Sequence, residues 1–371
     1  MSGRSVVACI AGAMVFVFCS AIGGAAVERN ADAQVTHHVI RVHGKAFFPV
    51  MLIDQCGAGE AVRAHRLGIN LILNEDCSPT SPKRQLSMVS RRQLVVLAAK
   101  QRATPGARLL GWTFPDEPDN NGWTPATLAG AYGVHRGNAD GLVSFMTLTG
   151  RFFRAPFRNP NLSLGTVARF ARLADVAGFD LYPLNACQHD LSAVYDAQRQ
   201  FKRLVGPMPT FQWIETGPIH PDYCGGGFTM RPAQLTAEAW LAVAGGARGI
   251  GFFTHTWTPQ HNAFDVTPGV QRAIAHFTQL AAPVRPGLVG KTILSGTTAP
   301  VVKLVARRGA GRTYVFAVNS SDAPVTAQIH VPRLHAGWIT AFGEKRTVRV
   351  AKHRFVDAFK PLAVHVYVQE R

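Results

Sequence analysis

Acidic residues follow several of the apolar runs in this 371-residue chain. Asp116 and Glu117 come directly after the run at 108–114, and Glu215 comes after the run at 210–214. Hydrolysis of a glycosidic bond with retention requires two carboxyl groups about 5 to 5.5 Å apart, one to protonate the leaving oxygen and one to attack the anomeric carbon. Glu117 and Glu215 are the best pair for this chemistry.

Other apolar runs are followed by residues suited to binding a sugar. Carboxylates accept hydrogen bonds from sugar hydroxyls, and an aromatic ring packs against the C–H face of a pyranose. Helix capping, pairing with arginine and core packing are the structural alternatives for these residue types. The predicted substrate-binding residues are Asp54, Glu75, Asp116, Asp180, Tyr182, His255 and Trp257.

These residues must be positioned by the apolar runs that precede them. Short apolar runs alternate with stretches of helical periodicity, the pattern of parallel strands joined by helices. The predicted strands are 47–53, 69–73, 108–114, 142–148, 176–181, 210–214 and 249–253, and the run at 94–98 fits either a strand or a helix. Apolar stripes predict helices over 167–174, 194–204 and 270–281.

Seven or eight strand–helix units in this length favour a (β/α)₈ TIM barrel, which takes about 250 residues. We assign the barrel to residues 36–286. A doubly wound dinucleotide-binding sheet is disfavoured, because the glycine-rich segment 245–251 precedes a predicted strand instead of following one. Catalytic groups of such barrels lie at the carboxyl ends of the strands, which is where the acidic residues above fall.

The pattern changes after Pro286 to alternating apolar and polar residues. The runs at 313–318 and 325–331 are joined by the turn-forming residues 319–322, which predicts a β-hairpin. We therefore predict a small C-terminal antiparallel β-sandwich domain over residues 290–371.

Four segments resemble the clan A retaining glycoside hydrolases, and the resemblance spans roughly residues 40 to 285. The stretch GWTFPDEPD at 111–119 is similar to the strand-four motif that carries the acid/base. FQWIET at 211–216 fits the strand-seven segment that carries the nucleophile. The resemblance implies that Glu117 is the acid/base and Glu215 the nucleophile.

Two further segments extend the resemblance. GFDLYP at 178–183 is similar to the strand-six segment, which implies that Tyr182 hydrogen-bonds the nucleophile. GIGFFTHTW at 249–257 is similar to strand eight and implies that Trp257 forms the floor of the −1 subsite. Asp116 departs from the pattern, because much of the clan has asparagine there. Its negative charge would raise the pKa of Glu117, which suits an acid that must hold a proton.

The first residues predict export. One positive charge, an apolar stretch and the small residues at 23–26 are typical of a signal peptide over 1–26. An uncleaved membrane anchor is the alternative, since the stretch is close to the length that spans a bilayer. With cleavage we expect a secreted or cell-envelope protein without a stable membrane span.

Four cysteines remain after the leader, and an even number in an exported protein suggests two disulfides. Three connectivities are open. Each cysteine follows a predicted strand, and neighbouring loops favour pairing Cys56 with Cys77 and Cys187 with Cys224.

The formal net charge is +17, which favours an anionic partner such as an acidic envelope glycan. The basic residues are scattered and lack a nucleic-acid-binding signature, so we expect no nucleic acid partner. No zinc spacing and no serine-nucleophile motif occur, so we expect neither a metal nor a cofactor.

The sequence therefore predicts a secreted retaining glycoside hydrolase with a carbohydrate substrate. A catalytically inactive carbohydrate-binding barrel of the cell envelope is the main alternative. A polysaccharide lyase would need a base beside the sugar C5, and a deacetylase would need metal ligands that the sequence does not display.

Overall fold

The structure, a computed structural model, describes residues 30–101, 106–133, 141–220, 224, 228–256 and 266–370. These residues form a small N-terminal sheet, a closed barrel of eight parallel strands and two C-terminal antiparallel sheets. No helix in these ranges has the length and hydropathy needed to cross a membrane. The predicted signal peptide at 1–26 lies outside the described residues.

The N-terminal sheet was not predicted from the sequence. It contains β1 (Ala33–Thr36), β2 (Val39–Val42) and β3 (Lys45–Phe47) in antiparallel order. Ala33 and Ile40 are buried against the barrel interior, and the Ala33 amide donates to the Gly141 carbonyl at 2.8 Å. The sheet thus closes the amino-terminal end of the barrel, opposite the predicted active site.

The barrel closes in the order of the chain, with its last strands returning to the first. The ambiguous run at 94–98 is a strand. The predicted strand at 47–53 is divided into β3 and β4, because Pro49 between them has no amide N–H for a ladder. The barrel strands are β4 (Val50–Ile53), β5 (Leu71–Asn74), β6 (Leu94–Ala98), β7 (Leu109–Thr113), β8 (Val143–Thr149), β9 (Val176–Asp180), β10 (Thr210–Glu215) and β11 (Gly249–Phe253).

Helices pack around the barrel and bury one apolar face each. Several begin at a serine or threonine whose side-chain oxygen accepts a backbone N–H of the first turn, as Thr124, Ser163 and Thr267 do. The predicted helices at 194–204 and 270–281 are confirmed, whereas the stripe at 167–174 extends past the end of its helix at Ala171. The helices are α1 (Ala58–Arg66), α2 (Pro82–Met88), α3 (Pro125–Tyr132), α4 (Leu164–Ala171), α5 (Ser192–Val205), α6 (Pro232–Gly245), α7 (Pro268–Ala281) and α8 (Arg285–Leu288).

The C-terminal domain is the predicted antiparallel sandwich. Its six-stranded sheet has the order β12-β14-β15-β20-β17-β18, and its three-stranded sheet has the order β13-β16-β19. The strands are β12 (Lys291–Ile293), β13 (Gly296–Thr297), β14 (Val302–Gly309), β15 (Arg312–Asn319), β16 (Val325–His330), β17 (Gly337–Ala341), β18 (Arg346–Val350), β19 (Arg354–Phe359) and β20 (Val364–Gln369).

The predicted hairpin between 313–318 and 325–331 was wrong. β15 pairs with β14 and β20, whereas β16 pairs with β13 and β19 in the other sheet. The turn residues form a crossover between the two sheets. There the side-chain amide of Asn319 donates to the carbonyls of Ala323 and Lys360 at 2.7 and 3.0 Å. The chain therefore passes from the six-stranded sheet to the three-stranded sheet between β15 and β16.

Helix α6 is the layer that joins the two domains. The helix is buried along most of its length and packs between the barrel and strands β14 and β15. Trp240 stacks on Phe316 of β15 with ring centroids 5.6 Å apart and also contacts Phe277 of α7. Arg307 of β14 is fully buried and donates to the carbonyls of Val243 and Ala247 at 2.8 and 3.1 Å.

Two disulfides close loops at the carboxyl ends of barrel strands. Cys56 is bonded to Cys77, and Cys187 is bonded to Cys224, which are the pairs that strand placement favours. Disulfides persist in oxidising compartments and are rare in the cytosol. The pairing therefore agrees with an extracellular or otherwise oxidising location.

Candidate active site

A cavity of about 490 Å³ opens at the carboxyl ends of the barrel strands. Asp116 and Glu117 reach it from the loop after β7, and Asp180 reaches it from the end of β9. Tyr182 and Phe253 form an aromatic wall, with ring centroids 5.7 Å apart. Carboxyl groups therefore face an aromatic surface across a space large enough for a sugar.

Glu117 is held by a tight turn. Its backbone has a φ of 42°, a left-handed conformation that is costly for a residue with a side chain. The Glu117 carbonyl accepts hydrogen bonds from the amides of Asn120 and Asn121 at 2.9 and 3.0 Å. Its carboxylate accepts from the Asn120 side chain at 3.3 Å. The turn thus places Glu117 in the lining of the cavity.

The Asp180 carboxyl group lies within hydrogen-bonding range of the Glu117 carboxyl group. The Asp180 carboxyl also accepts a hydrogen bond from the Gly150 amide at 3.2 Å. Burial raises the pKa of Asp180 well above its ordinary value, and the Glu117 carboxylate raises the pKa further. Two carboxyl groups this close share a proton, and burial favours the protonated form of Asp180.

Two further aspartates surround this pair. Asp116 is exposed, yet removal of water by the surrounding protein, with Glu117 and Asp54 nearby, raises the pKa of its carboxyl to about 7. Burial raises the pKa of Asp119 to about 6, although Asp119 accepts hydrogen bonds from the Thr149 amide and hydroxyl at 3.0 and 2.7 Å. The site thus concentrates acidic groups whose pKa values are raised toward neutral pH.

Asp54 and Glu75 lie beside the cluster but outside the cavity lining. The Asp54 carboxylate accepts from the amides of Glu75 and Asp76 at 2.6 and 3.1 Å, and burial raises the pKa of Asp54. Burial and the charges of Asp116 and Asp54 raise the pKa of Glu75 well above its ordinary value. These hydrogen bonds of Asp54 therefore link the loop after β4 to the loop after β5, next to the predicted sugar contacts.

Glu215 is fully buried at the end of β10 and does not line the cavity. Its two oxygens accept from the backbone amides of Leu184 and Asn185 at 2.7 and 2.9 Å and from the Asn185 side chain at 2.6 Å. Burial raises the pKa of Glu215 to about 7, and these hydrogen bonds oppose the rise. In this arrangement the carboxyl group holds the loop after β9 in place.

Glu238 of α6 faces Glu215 from the side of the helix layer. Glu238 is fully buried, and among the described residues no N–H group donates to either of its oxygens. Its carboxyl group is instead within hydrogen-bonding range of the Glu215 carboxyl. Burial and the Glu215 charge raise the pKa of Glu238 well above its ordinary value. Glu238 therefore holds the proton of this second pair, because Glu215 has three N–H donors.

The remaining predicted residues are placed as follows. Tyr182 lines the cavity, and the described hydrogen bonds to Glu215 come from Leu184 and Asn185 instead of from Tyr182. Burial raises the pKa of Tyr182 well above its ordinary value, so it stays a neutral phenol. The His255 ring hydrogen-bonds the Ile53 carbonyl at 3.0 Å. Trp257 lies outside the described residues.

Asn185, Arg151 and Glu238 were missed by the sequence reasoning. Asn185 lines the cavity and binds Glu215, and Arg151 brings a positive charge to the lining. Asn185 stands five residues beyond β9, too far from the strand end to be noticed. Glu238 gave a clearer signal, since it is a lone acid in the otherwise apolar centre of α6.

One group of described residues has metal-ligand spacing. Ligand atoms of Asp54, Cys56 and Cys77 lie within 4.8 Å of one another. The two sulfurs are joined in a disulfide, so they offer no thiolate to a metal. This group therefore does not fit a metal centre while the disulfide is intact.

The cavity and barrel can be compared with known proteins. No family model matches the sequence, and no curated protein matches it. Among solved structures, the α-amylase of Geobacillus thermoleovorans in complex with acarbose aligns with a TM-score of 0.58 at 10% identity, covering 87% of this chain and 98% of that one. The likeness at this identity is one of fold.

Two further structures have similar scores. A glycoside hydrolase family 5 protein from Bacteroides vulgatus has a TM-score of 0.53 at 10% identity, covering 90% of this chain and 91% of its own. A family 30 endoxylanase from Clostridium papyrosolvens has a TM-score of 0.51 at 11% identity, covering 88% and 97%. The chain therefore has the barrel fold of glycoside hydrolases, as the motif resemblance implies.

Proposed function

We propose that this protein hydrolyses glycosidic bonds of an oligo- or polysaccharide in the cavity after β7 and β9. The observation that carries the proposal is the contact between the carboxyl groups of Glu117 and Asp180 inside that cavity. Glycoside hydrolysis needs two carboxyl groups near the scissile bond, one of which holds a proton. The aromatic wall of Tyr182 and Phe253 suits the apolar face of a sugar ring.

In the reaction, Glu117 is the acid/base. It passes the proton that it shares with Asp180 to the leaving oxygen and then removes a proton from the water that completes hydrolysis. The motif resemblance assigns the nucleophile of a double displacement to Glu215. For this role, the Glu215 carboxylate must give up hydrogen bonds to Leu184 and Asn185 and turn toward the cavity.

Asp180 is a second candidate for the nucleophile. It lines the cavity and contacts Glu117, whereas Glu215 does neither in the described contacts. The contact between Asp180 and Glu117 is shorter than the about 5 to 5.5 Å of a retaining pair. A sugar between the two groups would have to separate them by side-chain rotation.

Release of reducing ends from a panel of glycans tests the proposal. Wild type is compared with Glu117→Gln, Glu215→Gln and Asp180→Asn, and the exposed Glu370→Gln serves as control. Loss of an acid/base lowers the rate by about a hundredfold or more, so Glu117→Gln must lose activity. If Glu215→Gln loses activity and Asp180→Asn keeps it, the nucleophile is Glu215. If Asp180→Asn loses activity and Glu215→Gln keeps it, the nucleophile is Asp180. Unchanged activity in Glu117→Gln refutes the site.

The inactive carbohydrate-binding barrel is a second candidate function. The observation that favours it is the burial of Glu215 beneath the loop after β9, which leaves the sequence-assigned nucleophile away from the cavity. Isothermal titration with the same glycans separates the two functions. Binding to wild type without any release of reducing ends supports the binding protein and excludes the hydrolase.

Export is part of the proposal. The two disulfides support an oxidising compartment, and we propose that residues 1–26 deliver the chain there and are removed. Mass spectrometry of the intact protein from culture fractions measures the new N-terminus. A mature chain beginning after residue 26 is expected, and a chain that retains the leader in the membrane fraction contradicts cleavage.

A further inference from the structure

A second cleft, of about 760 Å³, lies at the opposite end of the barrel from the candidate active site. Its walls come from one side of α5 between Tyr195 and Arg203, the last turn of α6, the residue before β11, and the segment from β12 to β14. Because barrel helices run antiparallel to the strands, helix C-termini mark the amino-terminal end of the barrel. We call this region the basal cleft.

The basal cleft is lined by cations and by no acidic residue. Arg199, Lys202 and Arg203 reach it from α5, and Arg248 reaches it from the start of β11. Within the described chain, none of the four forms an ion pair with a carboxylate. The lining also presents hydroxyl groups, from Tyr195, Thr292, Ser295 and Thr297.

A fifth cation lies directly behind this lining. Arg307 is fully buried, and its described partners are backbone carbonyls, including those of Leu288 and Val243. Burial and the neighbouring charges of Arg248 and Arg307 lower the pKa of Lys202 to about 8. The cations therefore repel one another and are not neutralised by side chains of the described residues.

Helix dipoles do not balance this charge. The C-terminus of a helix carries about half a negative charge. Two helices, α5 and α6, end at the cleft. Their combined effect is equivalent to about one negative charge against five cations. A net positive potential of several charges remains in a concave, partly buried space, where it is screened less than on open surface.

We infer that the basal cleft binds the anionic groups of an acidic glycan, either carboxylates or phosphates. Guanidinium groups match the geometry of both anions, and the hydroxyl groups around them suit the hydroxyls of the sugar units. A nucleic acid is disfavoured, because the ring of Tyr195 is already covered by Arg199 and Lys303, at 5.5 and 5.3 Å. Tyr195 is also buried, so its ring is not available for a base to stack on. The site is separate from the active-site cavity and does not rest on the proposed hydrolysis.

Affinity electrophoresis and isothermal titration with polygalacturonate and with poly(glycerol phosphate) test the inference. Neutral dextran and a single-stranded DNA oligonucleotide complete the panel. The test variant is Arg199→Gln/Arg203→Gln, which removes two exposed guanidinium groups of the cleft. The matched control is Arg169→Gln/Arg172→Gln, which removes the same charge from the exposed face of α4. Circular dichroism melting shows that both variants fold.

We expect wild type to bind at least one of the two polyanions and to bind dextran at least about tenfold more weakly. The cleft variant should lose at least about tenfold in affinity, because two charge-assisted hydrogen bonds are removed. Affinity should also fall as the pH rises above about 8, since free Lys202 then loses its proton. The polyanion that binds identifies the anionic group.

Three results would overturn the inference. Binding to neither polyanion excludes the site. An equal loss of affinity in the cleft variant and in the α4 control shows that the polyanion is attracted by the net charge of +17 and does not bind in a defined cleft. Binding of the oligonucleotide as tightly as the polyanion shows a general polyanion surface instead of a glycan site.

Discussion

Replacing Glu238 with glutamine removes one acid of the buried Glu215–Glu238 pair while preserving the size of the side chain. The folded protein holds a proton on Glu238, because burial and Glu215 raise its pKa well above 4.5. The unfolded chain releases this proton above about pH 4.5. The proton therefore contributes stability in full below that pH, and the contribution is lost as the pH rises toward the folded pKa.

The size of this effect follows from the usual pKa of glutamate. If the proton stays on Glu238 up to pH 7, wild type loses about 2.5 kcal/mol of unfolding free energy between pH 5 and pH 7 from this group alone. Glu238→Gln has no such group and retains a donor for Glu215. The fall in its unfolding free energy over the same interval should be smaller by about that amount.

Urea denaturation at pH 5, 6 and 7 measures the difference. The exposed Glu370→Gln is the control and should parallel wild type. Infrared spectroscopy at pH 7 gives an independent readout, because the C=O band of a protonated carboxylic acid should be present in wild type and weakened in Glu238→Gln. Parallel pH profiles of wild type and Glu238→Gln, with no change in this band, would refute the assignment of the proton.

Three further outcomes follow from the described contacts. Asn185→Ala removes a 2.6 Å hydrogen bond to Glu215 and should lower the unfolding free energy by about 2 kcal/mol, measured by urea denaturation; an unchanged midpoint contradicts the role of this amide. Gly178→Ala places a methyl group 2.3 Å from the ring of Phe211 and should destabilise the barrel by about 1 to 3 kcal/mol, seen as a lower melting temperature than Gly122→Ala, whose strain is purely backbone. Arg307→Ala removes the guanidinium hydrogen bonds to the Val243 and Ala247 carbonyls and should cost about 3 kcal/mol or more, whereas a variant as stable as wild type in calorimetry would show that these bonds do not tie the domains.

The barrel was predictable because its signal is local. Each barrel strand is a short apolar run, and the acid after β7 reaches the cavity from the end of that run. The N-terminal sheet was not predicted, because its strands have three or four residues and are only partly buried. Such strands show little alternation of apolar and polar residues. The hairpin was wrong for a related reason, since turn chemistry indicates a change of direction but not which sheet the next strand joins.

The sequence predicted which strand ends carry the candidate site, but it did not predict the contacts between the site residues. Glu215 follows its strand as expected, yet its partners Leu184 and Asn185 are about 30 residues away in sequence. Which way a strand-end carboxylate turns depends on how the neighbouring loop folds over it, and no periodicity encodes this. The contact between Glu117 and Asp180 likewise depends on the left-handed turn at Glu117. The residue type at this position does not predict such a turn.

The layer shared by α6 and β15 constrains the order in which the nascent chain can mature. Synthesis finishes α6 at Gly245, but Phe316, which covers Trp240, is added only 71 residues later. Until then a completed barrel would present an apolar helix face to water, and such surfaces promote aggregation. The barrel therefore cannot reach its final state on its own as it leaves the ribosome, and the C-terminal sandwich acts as the second half of a single folding unit.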